Sequence, residues 1–557
     1  MKIKEPELSQ NKKIQRNSFY KFIPELAALS VLLISGFVYI YSIDSFLDIL
    51  DYDDSTYLQW GVSFPSGFPV PEWSPVYVLW FYFLSFFRPD TIQLYYLNYI
   101  LVTVLPPLFI YVFLRVSKID LTISFTFSLL FLLSFANFPT SPKVSFFALM
   151  ILLLGLIVSA IVKDVKLKTL VLTFTVLINS FIRPEFFISF LLLSLILLYL
   201  YLKEFYKSKN FKLFIPLITV AVTCFVFIHF LGVPVGSGDR SFIAFGQHYS
   251  CNWVKWHNDS REPYANFRII MNEDFGNSAS LEEVVFKNPA AVAKHMLENL
   301  LNIPNEIRYM FLSFYPSSYP VKELTASALF ILLYFFISVY RNKYKLDLRT
   351  VIKNVLENFK SLKFFYLLIF ISLLPFIFSG IFIFPRRHYL IFPGLIVLLM
   401  LIILFFRNVL IFRKRFFTGM IYVCILSLLL VRPLKSLLEL PTPENLTAIK
   451  YLRNMDITEP VYILDDLGIY SIYESKNYSR VGEYIKDDLF NTYRTKWSIN
   501  LIVLSDRLLK DTRFSEDPEW IYFINNVEEF GFVKIDVPGA DKIKLLIKKE
   551  ILNNQKL

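Results

Sequence analysis

Three carboxylates crowd one short stretch of this 557-residue chain, Asp51-Tyr52-Asp53-Asp54-Ser55-Thr56-Tyr57. Acids packed this closely repel one another, and such pairs are a common source of acid–base chemistry. A solvated loop is the plain reading of an acidic triplet. What sets this one apart is its context. Gln59-Trp60-Gly61 follows, and then an apolar segment, 76–87, between Pro75 and Pro89. Two clusters of basic residues offer a complementary chemistry. Ser180-Phe181-Ile182-Arg183-Pro184-Glu185 closes one apolar block, and Pro385-Arg386-Arg387-His388-Tyr389 opens another. Guanidinium forks match phosphate oxygens better than an ammonium does, so Arg183, Arg386 and Arg387, with His388, are expected to hold a phosphate. The plainer readings are that Pro184 starts a helix complemented by Glu185, that Arg183 snorkels, and that the Arg-Arg-His group anchors lipid headgroups. Gly238-Asp239-Arg240-Ser241 and Phe245-Gly246-Gln247-His248-Tyr249 add Arg240 and His248 as substrate-binding expectations. His248, His257 and His295 lack metal-ligand spacing, so no metal site is assigned.

The elements that must position these groups are set by apolar blocks. The chain is 55% hydrophobic and 18% aromatic, only 18% of residues are charged, and mean hydropathy is +0.50. An ordinary soluble domain carries roughly 25% charged residues. The net charge of +11 does not indicate nucleic acid, because the charges cluster between apolar blocks. Three cysteines exclude a disulfide framework, and no cleavable signal peptide is evident. The blocks are 23–43, 92–114, 120–138, 144–162, 169–182, 186–202, 213–232, 324–340, 364–384, 389–406 and 417–432. The expected fold is therefore an α-helical polytopic membrane protein of about eleven transmembrane helices, over residues 1–432, with a C-terminal soluble α/β domain over 433–557. The 169–182 block is short and either tilts little or continues through Arg183-Pro184.

Basic residues give the orientation. Lys2, Lys4, Lys12, Lys13, Arg16 and Lys21 put the N-terminus inside, and every second connection is then also basic. The alternation holds if 76–87 does not span but lies at the interface as a short helix. External regions are then loop 44–91, loop 233–323 and the tail. In the tail, VYILDD, NLIVLSD, FVKIDVP and KIKLLIKK read as strands, while DDLFNTYRTKW and DPEWIYFINNVEEFG read as helices. That is a small Rossmann-like pattern. It carries no GxGxxG or Walker motif, so no nucleotide site is assigned.

The Asp53-Asp54-x-x-Tyr57 stretch in a first external loop before an interfacial helix resembles the GT-C superfamily of polyprenyl-phosphate-sugar glycosyltransferases. That superfamily includes the protein O-mannosyltransferases and the lipid A aminoarabinose transferase. The resemblance covers the membrane region in topology and is confined to short motifs at residue level, with Arg183-Pro184-Glu185 and the Arg-x-x-Tyr segment near 386–389 also similar. It implies that Asp53 is the catalytic aspartate, with Asp54 and Tyr57 completing the motif. Many relatives carry a second acid in the next external loop. This chain has Asn137-Phe138-Pro139-Thr140-Ser141-Pro142-Lys143 there instead, so Lys143 occupies that region.

The expected function is inverting transfer of a sugar from a polyprenyl phosphate to an acceptor hydroxyl on a glycan, lipid or protein. It would occur at the extracytoplasmic face of a bacterial inner membrane. Asp53 would be the base, the arginines would stabilise the leaving phosphate, and a divalent cation beside Asp54 is the one cofactor admitted. Two other classes remain open at this point. A transporter or flippase of a lipid-linked envelope precursor predicts charges inside the blocks and repeated halves, and the sequence has few of the first and none of the second. A membrane-anchored binding protein would make the tail the working part.

Overall fold

The computed structural model describes residues 8–49, 52–66, 73–137, 143–234, 239–264, 266–312, 348–407, 443–455, 457–474, 477–481, 489–511 and 514–553. The protein is mostly helical, with a small sheet near its C-terminus. It divides into two compact units that do not follow a single cut after residue 432. One comprises 1–39, 69–77 and 101–436; the other comprises 40–68, 78–100 and 437–557.

The apolar blocks become helices because a backbone in lipid must satisfy its own hydrogen bonds. In order the helices are α1 (Leu8–Ile40), α2 (Tyr52–Val62), α3 (Pro75–Ser85), α4 (Thr91–Val116), α5 (Leu121–Leu133), α6 (Val144–Ile161), α7 (Val165–Ser180), α8 (Phe186–Ser208) and α9 (Ile215–Leu231). Then come α10 (Asp239–His257), α11 (Phe267–Phe275), α12 (Leu281–Lys287), α13 (Pro289–Leu312), α14 (Leu348–Phe382) and α15 (Arg387–Phe406). Among the described residues, seven stretches are long and apolar enough to cross a bilayer: Ile23–Ser45, Thr91–Val116, Val144–Ile161, Phe186–Ser208, Phe211–Leu231, Ile352–Phe382 and Arg387–Phe406. α9 shows why this is a membrane protein. It exposes Ile215, Ile218, Val222, Phe225 and Phe230, a surface that water would not tolerate.

Of the other expected spans, 120–138 yields only the 13-residue α5, and 169–182 lies in the 16-residue α7. The 324–340 and 417–432 blocks fall outside the described residues. α7 does not continue through Arg183-Pro184. It stops at Ser180, and α8 starts after the proline, whose ring cannot sit inside a helix without displacing a carbonyl. The 76–87 segment forms the 11-residue α3, too short to span.

In the first unit, α6 and α7 pack closely at Gly155, where any Cβ would collide with Thr175. α8 meets α14 through Phe186 and Phe376, whose ring centroids are 4.5 Å apart, and Phe376 reaches Phe392 of α15 at 4.4 Å. Tyr111 and Arg115 of α4 hold Glu25 of α1. The described part of loop 233–323, chiefly residues 239–312, is helical. Its helices α10–α13 close over their own core of Phe245, Tyr249, Trp253, Ile270, Phe275 and Val284.

The tail folds as β1 (Val461–Leu464), β2 (Tyr478–Arg480), β3 (Leu501–Ser505), β4 (Phe532–Asp536) and β5 (Ile543–Lys548), in the order β2-β1-β3-β5-β4. Its helices include α16 (Glu444–Asn454), α17 (Tyr470–Tyr473), α18 (Phe490–Lys496), α19 (Asp506–Leu509), α20 (Pro518–Asn525) and α21 (Lys549–Asn553). β2-β1-β3 are parallel, as in a Rossmann-like pattern, but β3-β5-β4 are antiparallel. The β4-β5 pair follows from the short 537–542 connection, which turns at Gly539 with φ +82° and makes a hairpin. Phe490, Phe514, Trp520 and Phe523 fill the space beneath the sheet.

Candidate functional site

The acidic loop lies in the second unit. Asp53 and Asp54 occupy the first turn of α2, and they differ sharply in environment. Asp54 is fully buried and accepts a hydrogen bond from Tyr99 Oη at 2.7 Å. Asp53 is half-buried. Ser55, next in line, shares a buried 2.9 Å hydrogen bond with Tyr473 Oη of α17, and Tyr473 stacks edge-on against Tyr95 at 5.9 Å. Tyr57 is 2% exposed, with its ring beside Trp60. It is a packing residue here, with little surface to offer a ligand. Gly61 lets α2 approach α3, since a Cβ there would stand 2.5 Å from Phe81 Cβ. Asp51 is outside the described residues.

A residue outside every motif of the sequence holds this loop to the tail. Asp48 accepts from the backbone N–H groups of Asn445 (3.0 Å) and Leu446 (2.9 Å) and from Asn445 Nδ2 (3.1 Å), capping the start of α16. Burial raises its pKa, and these donors partly oppose the rise. Arg453 of α16 reaches Asp90 at 2.5 Å and the Tyr473 carbonyl, so α16, α17 and the start of α4 are tied together. The signal that could have found Asp48 was weak, one acid among several between Asp44 and Asp54, just beyond a span.

The basic groups lie in the first unit. Ser74 Oγ donates to the Ile182 carbonyl at 2.7 Å and Val76 N to that of Phe181, fixing the turn that carries Arg183. Arg183 pairs with Glu185 at 2.8 Å, and its guanidinium lies 4.9 Å from the Tyr389 ring. Glu185 thus neutralises Arg183 and makes no side-chain cap on α8. Arg387 faces Glu306 at 3.6 Å and covers Tyr309. Arg386 differs from both. It makes no ion pair among the described residues, and its Nη2 lies 3.4 Å from Tyr264 Oη. His388 rests against the Tyr389 ring at 4.4 Å.

His248 is buried beside Arg386, stacked on Phe384 at 5.0 Å and edge-on to Tyr264. Burial first, then the neighbouring Arg386 and His295, push its pKa down to about 3, so the ring stays neutral. It contributes shape and a hydrogen-bonding nitrogen, not a positive charge. Lys143 is buried at the head of α6, with Nζ 3.9 Å from the centre of the Phe146 ring, and so does not project from a loop. Arg240 lies in the first turn of α10, and its side chain is outside the described residues. No group of three or more His, Cys, Asp or Glu side chains among the described residues is arranged to hold a metal ion.

No family model, no curated protein and no solved structure matches this chain.

Proposed function

We propose that the protein is a membrane glycosyltransferase that takes a sugar from a polyprenyl phosphate and passes it to an acceptor hydroxyl, with inversion. The observation that carries the reading is the unequal pair at the head of α2. Asp54 is locked on Tyr99, while Asp53 keeps part of its surface open. An attacking hydroxyl needs a base that a substrate can reach, held by neighbours that a substrate does not displace. Asp53 fills the first role, and Asp54 the second. The leaving phosphate calls for a fixed cation more than an acid. Arg386, without a carboxylate partner among the described residues, is better suited to that than Arg183 or Arg387, each of which already faces one.

The active face is assigned to the extracytoplasmic side, following the alternation of basic loops. The test uses the full chain in lipid vesicles with a radiolabelled polyprenyl-phosphate hexose or pentose. Asp53→Asn should lower turnover by about two to four orders of magnitude while donor binding persists. Arg386→Gln should instead weaken donor binding. Near-normal transfer by Asp53→Asn would refute the assignment and move the search to Glu185. A thiol introduced at Ser479 should react with an impermeant reagent from outside, and one at Ser9 should not. The reverse pattern would overturn the sidedness.

A further inference from the structure

The helical subdomain over 239–312 contains an open cavity of about 540 Å³ that the reading above leaves unused. Its volume falls within the usual range for small-molecule sites. Phe242 and Ile243 of α10 and Phe267 and Met271 of α11 form one wall. Gly246 makes this wall possible, since a Cβ there would stand 2.8 Å from Phe267 and drive the two helices apart. The polar part of the lining comes from Arg268 and Asn272 of α11 and from Asn277 and Ser278 of the segment that follows it.

The polar part of the lining is held in place. Lys287 Nζ donates to the Asn277 carbonyl at 3.2 Å, and Ser278 Oγ donates to that of Phe275 at 2.7 Å. Ala279 N donates to Glu283, and Asn288 Nδ2 donates to the Asp274 carbonyl. The segment between α11 and α12 is thus fixed through its backbone. Gly276, at φ +58°, leaves the rim open, since a Cβ there would meet nothing within 4 Å.

The charges around the cavity are unevenly paired. The acids nearby are already engaged. Glu273 takes Arg261, Asp274 takes Tyr249 Oη, and Glu283 takes Lys287. Arg268, by contrast, makes no ion pair among the described residues and lies against the Phe267 ring at 5.8 Å. The cavity thus brings together apolar side chains, two amides and a guanidinium that makes no ion pair among the described residues. That combination suits a ring with a hydrocarbon face, several hydroxyls and one anionic group.

We infer that this cavity binds an acidic pyranoside, with the ring laid on Phe242 and Phe267, its hydroxyls toward Asn272 and Asn277, and its carboxylate on Arg268. As an acceptor subsite this rests on the glycosyl-transfer reading; as a sugar site it does not.

The test is saturation-transfer NMR on the full chain in nanodiscs of zwitterionic lipid, with methyl β-glucuronide and methyl β-glucoside as probes. The glucuronide should bind several-fold better than the glucoside. Arg268→Gln should remove that several-fold advantage, bringing glucuronide affinity down to the level of the glucoside, without changing the glucoside signal. Ala279→Leu, at an exposed rim position, should reduce both. Absence of transfer to either probe would overturn the proposal, as would equal signals in the wild type and both variants. Displacement of the glucuronide by phosphatidylglycerol added to the discs would make the cavity a lipid-headgroup site and overturn it too. Because the readout needs no turnover, an Asp53→Asn protein that still transfers sugar would sink the catalytic reading and leave this one standing.

Discussion

His295 should make the protein acid-labile, and the structure gives both the size and the sign. The ring is fully buried on α13, between Asn252 of α10 and Asn299 one turn along its own helix. Asn252 Nδ2 donates to Nδ1 at 2.9 Å, which assigns the ring proton to Nε2. Nε2 in turn donates to the Ile383 carbonyl at 2.9 Å, and Asn299 Nδ2 donates to that of Ile381. The trio thus satisfies carbonyls that the end of α14 leaves without helical partners. A proton on Nδ1 would put an N–H against the Asn252 amide. Burial holds the pKa down to about 4, from 6.5 in the unfolded chain. Between those values the unfolded form binds more protons, so the contribution is full above pH 6.5 and is lost as pH falls through 4. A gap of roughly 2.5 units is worth about 3 kcal/mol. The assay is denaturant unfolding in mixed micelles at pH 7.5 and 4.5, comparing the wild type with His295→Gln. The difference between the two proteins should shrink by about 2 to 3 kcal/mol at the lower pH. His248 contributes in the same direction in both proteins and cancels. A wild-type advantage that does not change with pH would refute the assignment of a neutral, network-bound His295.

Two further outcomes are expected. Tyr99→Phe removes a donor to a fully buried Asp54 carboxylate and should cost about 1 to 3 kcal/mol, read as a lower denaturant midpoint; an unchanged midpoint would mean that Asp54 does not depend on this bond. Asp465 is buried at the end of β1 with its pKa raised to about 6, mainly by burial, although Gly468 N and Tyr470 N donate to it. Its contribution is therefore present below about pH 4 and lost as pH rises through 6, a change of about 3 kcal/mol. Asp465→Asn should flatten stability across that window, and a profile identical to wild type would count against it.

The spans and the tail strands were readable because their signals are local. An apolar run in lipid has one way to satisfy its backbone, and VYIL, LIVLS and KIKLLIK alternate or run apolar at strand length. The helices of 233–323 were less readable. Their apolar faces are broken by Asn and His, so the segment reads as loop until its core is assembled. β2 has three residues, too few for any pattern, and the β4-β5 hairpin follows from a turn rather than from strand composition. At the site, Asp53 and Asp54 stood out by spacing, but their inequality depends on Tyr99, 45 positions away. Arg183, Arg386 and Arg387 looked equivalent in sequence. Glu185 and Glu306 separate them, and only Glu185 is near enough in the chain to have suggested its pairing.

The Asp48–Asn445 and Ser55–Tyr473 contacts join positions 397 and 418 residues apart. During synthesis the acidic segment emerges early, while the groups that fix it arrive only with the last stretch of chain. At elongation rates of about 5 to 20 residues per second, α2 waits at least about 20 seconds for Tyr473. Until then Ser55 lacks that partner, and the Asp48 carboxylate has no α16 to cap. Maturation of the first loop is thus coupled to completion of the chain. A nascent or prematurely terminated protein lacks the tail groups that hold Asp48 and Ser55, so the α2 arrangement is completed only when the tail has folded.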